Sequence, residues 1–169
     1  YIRHTENKGI STARADALEA ATGAYIAVLD SDDLWSTPEK LATQVAFLSS
    51  RPDHVIVGTF IHLVDEKDAV IGRDTYSTQD LDIRSHILIR NQFAHSSVLM
   101  RAEAVRAAGG YGTLSIAEDL DLFLRLGTYG KFSNLPLYLT SYRVHQGGAS
   151  RDTRAVAKAV HERVKIHRK

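Results

Sequence analysis

The sequence predicts an α/β fold with a mostly parallel sheet flanked by helices. Amphipathic segments alternate with short apolar runs over residues 1–64, and this helix–strand rhythm is typical of α/β domains. The run Tyr25–Leu29 is too short for a helix, so we expect a strand buried on both faces, as in a parallel sheet. It leads directly into Asp30, Asp32 and Asp33, at the strand end where open α/β sheets bind ligands.

The other elements follow from local patterns. A helix is expected over Ser11–Ala21, and a second helix from Pro38 to about Ser50, with Thr37 as its cap. The remaining predicted elements are a strand at His54–Val64, a hairpin or edge excursion within Asp65–Asp82, a short helix at Leu81–Ile89, a strand at Ser96–Met100, helices at Ala102–Ala108 and Glu118–Leu126, a tight loop at 109–112 and a final strand at Tyr138–Val144.

Length and composition indicate one soluble domain. The chain has 169 residues, 44% of them hydrophobic and 24% charged, which is enough for a substantial core. It has no cysteine, so any metal must be bound by oxygen or imidazole ligands. No apolar run approaches the roughly 18 to 20 residues of a membrane span. We therefore expect a cytoplasmic protein. It would lie at the inner face of the membrane if its C-terminal segment binds lipid.

The charge is unevenly distributed. Residues 151–169 carry seven Lys or Arg against two acidic residues, whereas the rest of the chain is mildly acidic. We interpret this segment as a basic C-terminal helix with Val156, Val160 and Val164 packed inward. Peripheral contact with an anionic membrane surface is the alternative interpretation, and no nucleic-acid partner is expected.

The carboxylates after the first strand predict a cation site. Mg²⁺ and Mn²⁺ take one or two carboxylates and complete their shell with water and phosphate oxygens, and Asp30 and Asp32 can face one such ion. Asp-Ser-Asp is also a turn composition. An EF-hand is excluded because Leu34 and Trp35 occupy its ligand and glycine positions. A phosphohydrolase of the haloacid dehalogenase type, with Asp30 as nucleophile, remains an alternative.

Several motifs, in fixed order, resemble those of the inverting family 2 glycosyltransferases, which have the GT-A fold. Their order and spacing are more specific than an isolated Asp-x-Asp. The motifs are Asn7–Arg14, Gly23–Ile26, Leu29–Asp33, Pro38–Leu41 with Gln44, Ser96–Leu99, Gly109–Tyr111, Glu118–Leu126 and Tyr142–His145.

The resemblance implies one partial, Rossmann-like GT-A domain. Residues 1–64 would belong to its nucleotide-sugar half, 65–150 to its acceptor half and 151–169 to the basic helix. The first strands of the family, which hold the base and part of the ribose, have no counterpart before Tyr1. We therefore expect an N-terminally truncated fragment whose own activity is open.

The implied reaction is transfer of a hexosyl-type sugar from a nucleotide sugar to a hydroxyl of a glycan or lipid-linked acceptor, as in cell-wall or polysaccharide biosynthesis. The implied cofactor is Mg²⁺ or Mn²⁺. The implied metal ligands are Asp32, Asp30 and His145, with Asp33 as a further candidate. The nucleotide sugar would be bound by Asn7, Arg14, Asp30 and Arg143. The general base would be Asp119, and Glu118 would either orient the acceptor or serve as the base in place of Asp119.

The chain departs from the family pattern after Arg14. It has Ala15 and Ala17 where that pattern usually has Asn and Gly. A truncated or inactive relative that binds a nucleotide or a partner without turnover is the second hypothesis. Trp35 is expected to pack in the core, and the histidines without ligand spacing, His4, His62, His86 and His95, are expected to be structural or exposed.

Overall fold

The structure, a computed structural model, describes residues 1–112 and 117–145. The basic segment 151–169, predicted as a helix, lies outside them. The helices are α1 (Ile10–Ala20), α2 (Lys40–Ser50), α3 (Asp80–His86), α4 (Ala102–Ala107) and α5 (Glu118–Leu126), with a 3₁₀ helix at His95–Ser97. The strands are β1 (Tyr25–Ala27), β2 (Leu34–Trp35), β3 (His54–Val64), β4 (Val70–Asp74), β5 (Leu99–Arg101) and β6 (Lys131–Arg143).

The strands form one mixed sheet in the order β1-β5-β3-β6-β2, and β4 pairs with β3 off this path. β3 and β6 are parallel, whereas the other four ladders are antiparallel. The α/β class is confirmed, and the expectation of a mostly parallel sheet is corrected to a mixed one. An apolar run indicates that a strand is buried, but it does not indicate whether the adjacent strands of the sheet run parallel or antiparallel to it.

β1 differs most from its prediction. The apolar run Tyr25–Leu29 forms only a three-residue strand, which pairs antiparallel with β5 through Ile26 opposite Met100. Within the described residues β1 pairs on one side only, and Leu29 beyond it is 46% exposed. The interpretation of this run as a parallel strand buried on both faces is therefore wrong.

β3 is the central strand, and its predicted boundaries are confirmed. Most of its residues are buried because it lies between β5 and β6. A Cβ at Gly58 would lie 2.1 Å from Asn134 Oδ1 and 2.8 Å from Phe93 Cδ1, which leaves no room for a side chain. Asn134 donates to the carbonyls of Ser77 and Gln92, and so fastens β6 to the segments on either side of α3.

The larger core cluster joins the sheet to α3, α4 and α5. α5 contributes three fully buried side chains, Leu122, Phe123 and Leu126. A smaller cluster packs α2 against β3 and β5 through Leu48, Val57 and Leu99. None of the helices in residues 1–112 and 117–145 is long and apolar enough to cross a membrane.

Most other predicted elements lie close to their observed positions. α1, α3, α4, α5 and the β3–β4 hairpin are confirmed to within a few residues. α2 begins at Lys40, two residues after Pro38, because a turn precedes it. The strand predicted from Ser96 begins at Leu99, after the 3₁₀ helix. β6 begins at Lys131, seven residues before the predicted strand, and β2 was not predicted.

Lys40 is a fully buried amine at the start of α2. Its Nζ donates to Gln44 Oε1 at 2.8 Å and lies 4.8 Å from the centroid of the Trp35 ring. Gln44 in turn donates to the carbonyls of Val57 and Ser97. Burial lowers the pKa of Lys40 to about 8 from an ordinary value of 10.5.

This burial predicts a pH-dependent contribution of Lys40 to stability. Between about pH 8 and 10.5 the unfolded chain keeps the Lys40 proton that the folded chain has lost, so the free energy of unfolding rises with pH. Relative to Lys40→Met, the wild type should gain roughly 2 kcal/mol between about pH 7.5 and 9.5, measured by urea unfolding.

The control is Lys131→Met. Lys131 pairs with Asp53 at the surface, and its pKa is raised by that hydrogen bond, so its proton stays bound in both states over the same pH window. Its difference from wild type should therefore stay constant. A constant difference for Lys40→Met would contradict the prediction.

Candidate functional site

Arg14 links two segments that are far apart in the sequence. It lies on α1 with a side chain only 13% exposed, and its guanidinium donates to Asp30 Oδ1 at 2.5 Å and to Glu118 Oε1. Glu118 is buried at the start of α5, directly after Ala117, whose φ of 59° is left-handed. The buried cation thus balances two carboxylates that would otherwise lie close together without a counter-charge.

The loop after β1 separates its three carboxylates into different environments. Asp30 faces Arg14, and its backbone N–H donates to Ser96 Oγ at 3.0 Å. Asp33 is buried and accepts from the backbone N–H of Arg143 at 2.9 Å. Burial raises the pKa of Asp33, against the opposing effect of its hydrogen bond with Ser96. Asp33 therefore stabilises the loop from within.

Asp32 is the carboxylate of this loop that faces outward. Its side chain is 45% exposed, and Oδ2 lies 3.0 Å from His145 Nε2, just after β6. The described residues contain no group of three or more His, Cys, Asp or Glu that could hold a metal ion by themselves. A carboxylate and an imidazole converging on one point do fit Mg²⁺ or Mn²⁺ whose other positions are filled by water and phosphate oxygens. Asp30 points instead towards Arg14.

Arg143, predicted to contact the donor, is engaged within the protein. Nε donates to the carbonyl of Asp32 at 2.9 Å, and the two terminal nitrogens donate to the carbonyl of Asp65 and to Asp68 Oδ1, each at 2.6 Å. The hydrogen bond with Asp68 raises the pKa of Arg143. The guanidinium thereby fastens the acidic loop to the β3–β4 turn.

Asp119, the predicted general base, lies next to Glu118 at the start of α5. It is half-buried, and Asn91 Nδ2 donates to its Oδ2 at 3.0 Å. This hydrogen bond to a charged acceptor fixes the direction of the carboxylate. Glu118 of the predicted acidic pair is therefore linked to Asp30 through Arg14, whereas Asp119 is held by Asn91.

Two other residues predicted at or near the site lie at its margin. Asn7 is exposed, and its Oδ1 accepts the backbone N–H of Gly9 at 2.9 Å in the turn before α1. Trp35 is half-buried, and its Nε1 donates to the carbonyl of Ser96 at 3.2 Å. Trp35 thus connects β2 and the buried Lys40 to the 3₁₀ helix beside the site.

Sequence reasoning missed three residues that the structure brings to the site. His95 was expected to be structural or exposed, and its buried ring lies against Tyr111 and 3.9 Å from Asp30. Asn91 holds Asp119, and the hydroxyl of Ser96 holds the acidic loop. Ser96 belongs to one of the motifs named above, whereas Asn91 and His95 had no spacing signal.

The fold of the chain is that of the GT-A glycosyltransferases. The fold matches the mannosyltransferase PcManGT from Pyrobaculum calidifontis, in complex with GDP-Man and Mn²⁺, with a TM-score of 0.67, 21% identity and coverage of 98% of this chain and 46% of that one. It also matches S. aureus TarS 1-349 in complex with UDP-GlcNAc, with a TM-score of 0.67, 19% identity and coverage of 89% and 43%.

The chain belongs to glycosyl transferase family 2, whose sequence model matches residues 1–107. EpsE of Bacillus subtilis (strain 168) is 34% identical over 148 residues, 86% of this chain and 51% of EpsE. A second relative is WfaP of Escherichia coli, a UDP-Glc:alpha-D-GlcNAc-diphosphoundecaprenol beta-1,3-glucosyltransferase. It is 31% identical over 150 residues, which are 88% of this chain and 57% of WfaP. The chain thus spans about half the length of the curated relatives it matches.

The bridge made by Arg14 predicts a large cost for its removal. Arg14→Met leaves the carboxylates of Asp30 and Glu118 without their cation, and we expect the free energy of unfolding to fall by about 3 to 5 kcal/mol, measured by urea unfolding. Adding Glu118→Gln should recover part of this loss, because it removes the buried charge. Lys131→Met, which breaks an exposed pair, should cost far less. Equal costs for the two single variants would contradict the buried bridge.

Proposed function

We propose that the protein transfers a sugar, with inversion and with a divalent metal, from a nucleotide-sugar donor to a hydroxyl of a glycan or lipid-linked acceptor. The observation that carries this proposal is the pairing of outward-facing Asp32 with His145, in the same loop as Asp30, which Arg14 joins to Glu118 of the acidic pair on α5. Membership of family 2 supports it and argues against the phosphohydrolase alternative, as does the engagement of Asp30 by Arg14.

The donor side is supported by charge and by the relatives. Similar structures are described in complex with GDP-Man and Mn²⁺ and with UDP-GlcNAc, and both ligands carry a diphosphate. In this chain Asp32 and His145 would hold Mg²⁺ or Mn²⁺, while Arg14 and Asp30 would face the ribose side. A bound divalent cation supplies charge stabilisation of the leaving diphosphate, worth several kcal/mol in the transition state.

The acceptor side needs a base because inversion by one displacement releases the acceptor hydroxyl proton as the new bond forms. Asp119 would take that proton, and its carboxylate is oriented by the Asn91 amide. Glu118 is tied to Arg14 inside the protein, so it is better placed to hold the first turn of α5 than to act as the base itself. The basic segment 151–169 would make any peripheral contact with a membrane.

The direct test is calorimetry on the purified protein at its natural length, with UDP, GDP and dTDP, each with and without Mn²⁺. We expect one nucleotide to bind, and to bind more tightly with the metal. Binding that ignores the metal would overturn the metal assignment, and absence of binding to all three would overturn the proposed function.

The metal assignment predicts the effect of Asp32→Asn. Loss of one of two protein ligands should weaken Mn²⁺-dependent nucleotide binding by at least about tenfold, which corresponds to ~1.4 kcal/mol in calorimetry. Asp82→Asn removes an exposed carboxylate on α3, outside the site, and should leave the affinity unchanged. An unchanged affinity for Asp32→Asn would exclude it as a ligand.

The base assignment predicts a different result for Asp119→Asn. The amide cannot accept the hydroxyl proton, so the transfer rate should fall by roughly 10²- to 10⁴-fold while metal-dependent nucleotide affinity is retained. Single-turnover transfer from the nucleotide sugar that binds best would measure it. Full activity of this variant would assign the base elsewhere, and a wild type that binds nucleotide without turnover would favour the binding-only relative.

A further inference from the structure

His95 has a buried ring with one satisfied and one unsatisfied nitrogen. The side chain, on the 3₁₀ helix between α3 and β5, is only 6% exposed and packs edge-on against Tyr111 and Phe123. Its Nε2 lies 2.9 Å from the Tyr111 hydroxyl. Its Nδ1 is buried without a hydrogen-bond partner and lies 3.9 Å from Asp30 Oδ2. A buried polar atom without a hydrogen-bond partner lowers the free energy of unfolding, so the lack of a partner at Nδ1 needs an explanation.

Burial favours the neutral form of the His95 ring. Burial lowers the pKa of His95 to about 4; the charge of Asp119 opposes this effect and the charge of Arg14 adds to it. A neutral imidazole carries one N–H, so one ring nitrogen donates and the other accepts.

The neighbours of the ring select the tautomer. Burial raises the pKa of Tyr111 well above its ordinary value, so its hydroxyl stays protonated and can either donate to His95 Nε2 or accept from it. The carboxylate of Asp30, on the other side of the ring, favours the tautomer with the N–H on Nδ1. In the opposite tautomer, the lone pair of Nδ1 would face a carboxylate oxygen at 3.9 Å with nothing between them, which is electrostatically unfavourable.

We propose that His95 is a positioning residue: Tyr111 donates to its Nε2, and its Nδ1–H donates to Asp30 when the donor nucleotide binds. A movement of about 1 Å by the Asp30 side chain would bring the 3.9 Å separation to hydrogen-bond length. Arg14 holds the other oxygen of Asp30, so the two contacts together fix the plane of the carboxylate that faces the ribose side. That a donor nucleotide is the ligand rests on the proposed function. The hydrogen bond from Nδ1–H to Asp30 rests on the geometry of His95 alone.

A matched pair of substitutions separates the two ring contacts. The amide nitrogen of His95→Asn can reach the position of Nδ1 and so keeps the donor towards Asp30, whereas His95→Gln reaches towards Tyr111 and loses that donor. With the best-binding of UDP, GDP and dTDP in the presence of Mn²⁺, we expect His95→Gln to bind about tenfold more weakly, and His95→Asn to recover most of that loss.

The kinetic and stability readouts distinguish positioning from packing. Loss of Asp30 orientation should raise the donor KM of His95→Gln more than it lowers kcat. A purely structural role would weaken binding in proportion to the loss of stability in both variants, so urea unfolding of each is measured in parallel. Equal affinity losses in the two variants would overturn the proposal.

The tautomer is tested without any ligand. ¹⁵N NMR of the ring nitrogens, with His95 assigned by its absence from the His95→Gln spectrum, should show the proton on Nδ1, and Tyr111→Phe should weaken that preference. A proton on Nε2 in the wild type would overturn the inference. If no nucleotide binds the wild type while the Nδ1–H tautomer is present, the proposed function fails and the chemistry of His95 stands.

Discussion

The site depends on the guanidinium of Arg14 lying between Asp30 and Glu118. These carboxylates belong to segments 88 positions apart, one after β1 and one at the start of α5, and the arginine that joins them comes from α1. Without a buried cation, the two acidic clusters would repel each other across a region of low dielectric. The bridge therefore permits the loop after β1 and the start of α5 to lie close together.

The crowding of carboxylates in the loop after β1 is relieved by giving each a different environment. Asp30 is paired with Arg14, and Asp33 is buried against Ser96 and a backbone N–H. Asp32 keeps an outward-facing carboxylate beside His145. The motif therefore contains more carboxylates than could face a cation. The residues that contact each carboxylate show that Asp32 is the one that faces outward.

The sequence predicted the elements whose signals are local. β3 and α5 have their predicted bounds because an apolar run and an amphipathic period are properties of the segment itself. The direction of β1 depends on which strand pairs with it, and that information lies in β5. His95 could not be found for a similar reason: its role depends on Tyr111 and Asp30, 16 and 65 positions away, and a single histidine has no diagnostic spacing.

The parallel pairing of β3 with β6 explains how an exposed carboxylate is held in a defined place. The pairing runs to Val64 opposite Arg143, so Arg143 emerges beside the β3–β4 turn. From there it donates to the carbonyl of Asp32, while its own backbone N–H donates to Asp33. The backbone of the loop is therefore fixed from the sheet, and the Asp32 carboxylate lies 3.0 Å from His145 Nε2. A ligand that binds there meets a loop that is already ordered, and this lowers the entropic cost of binding.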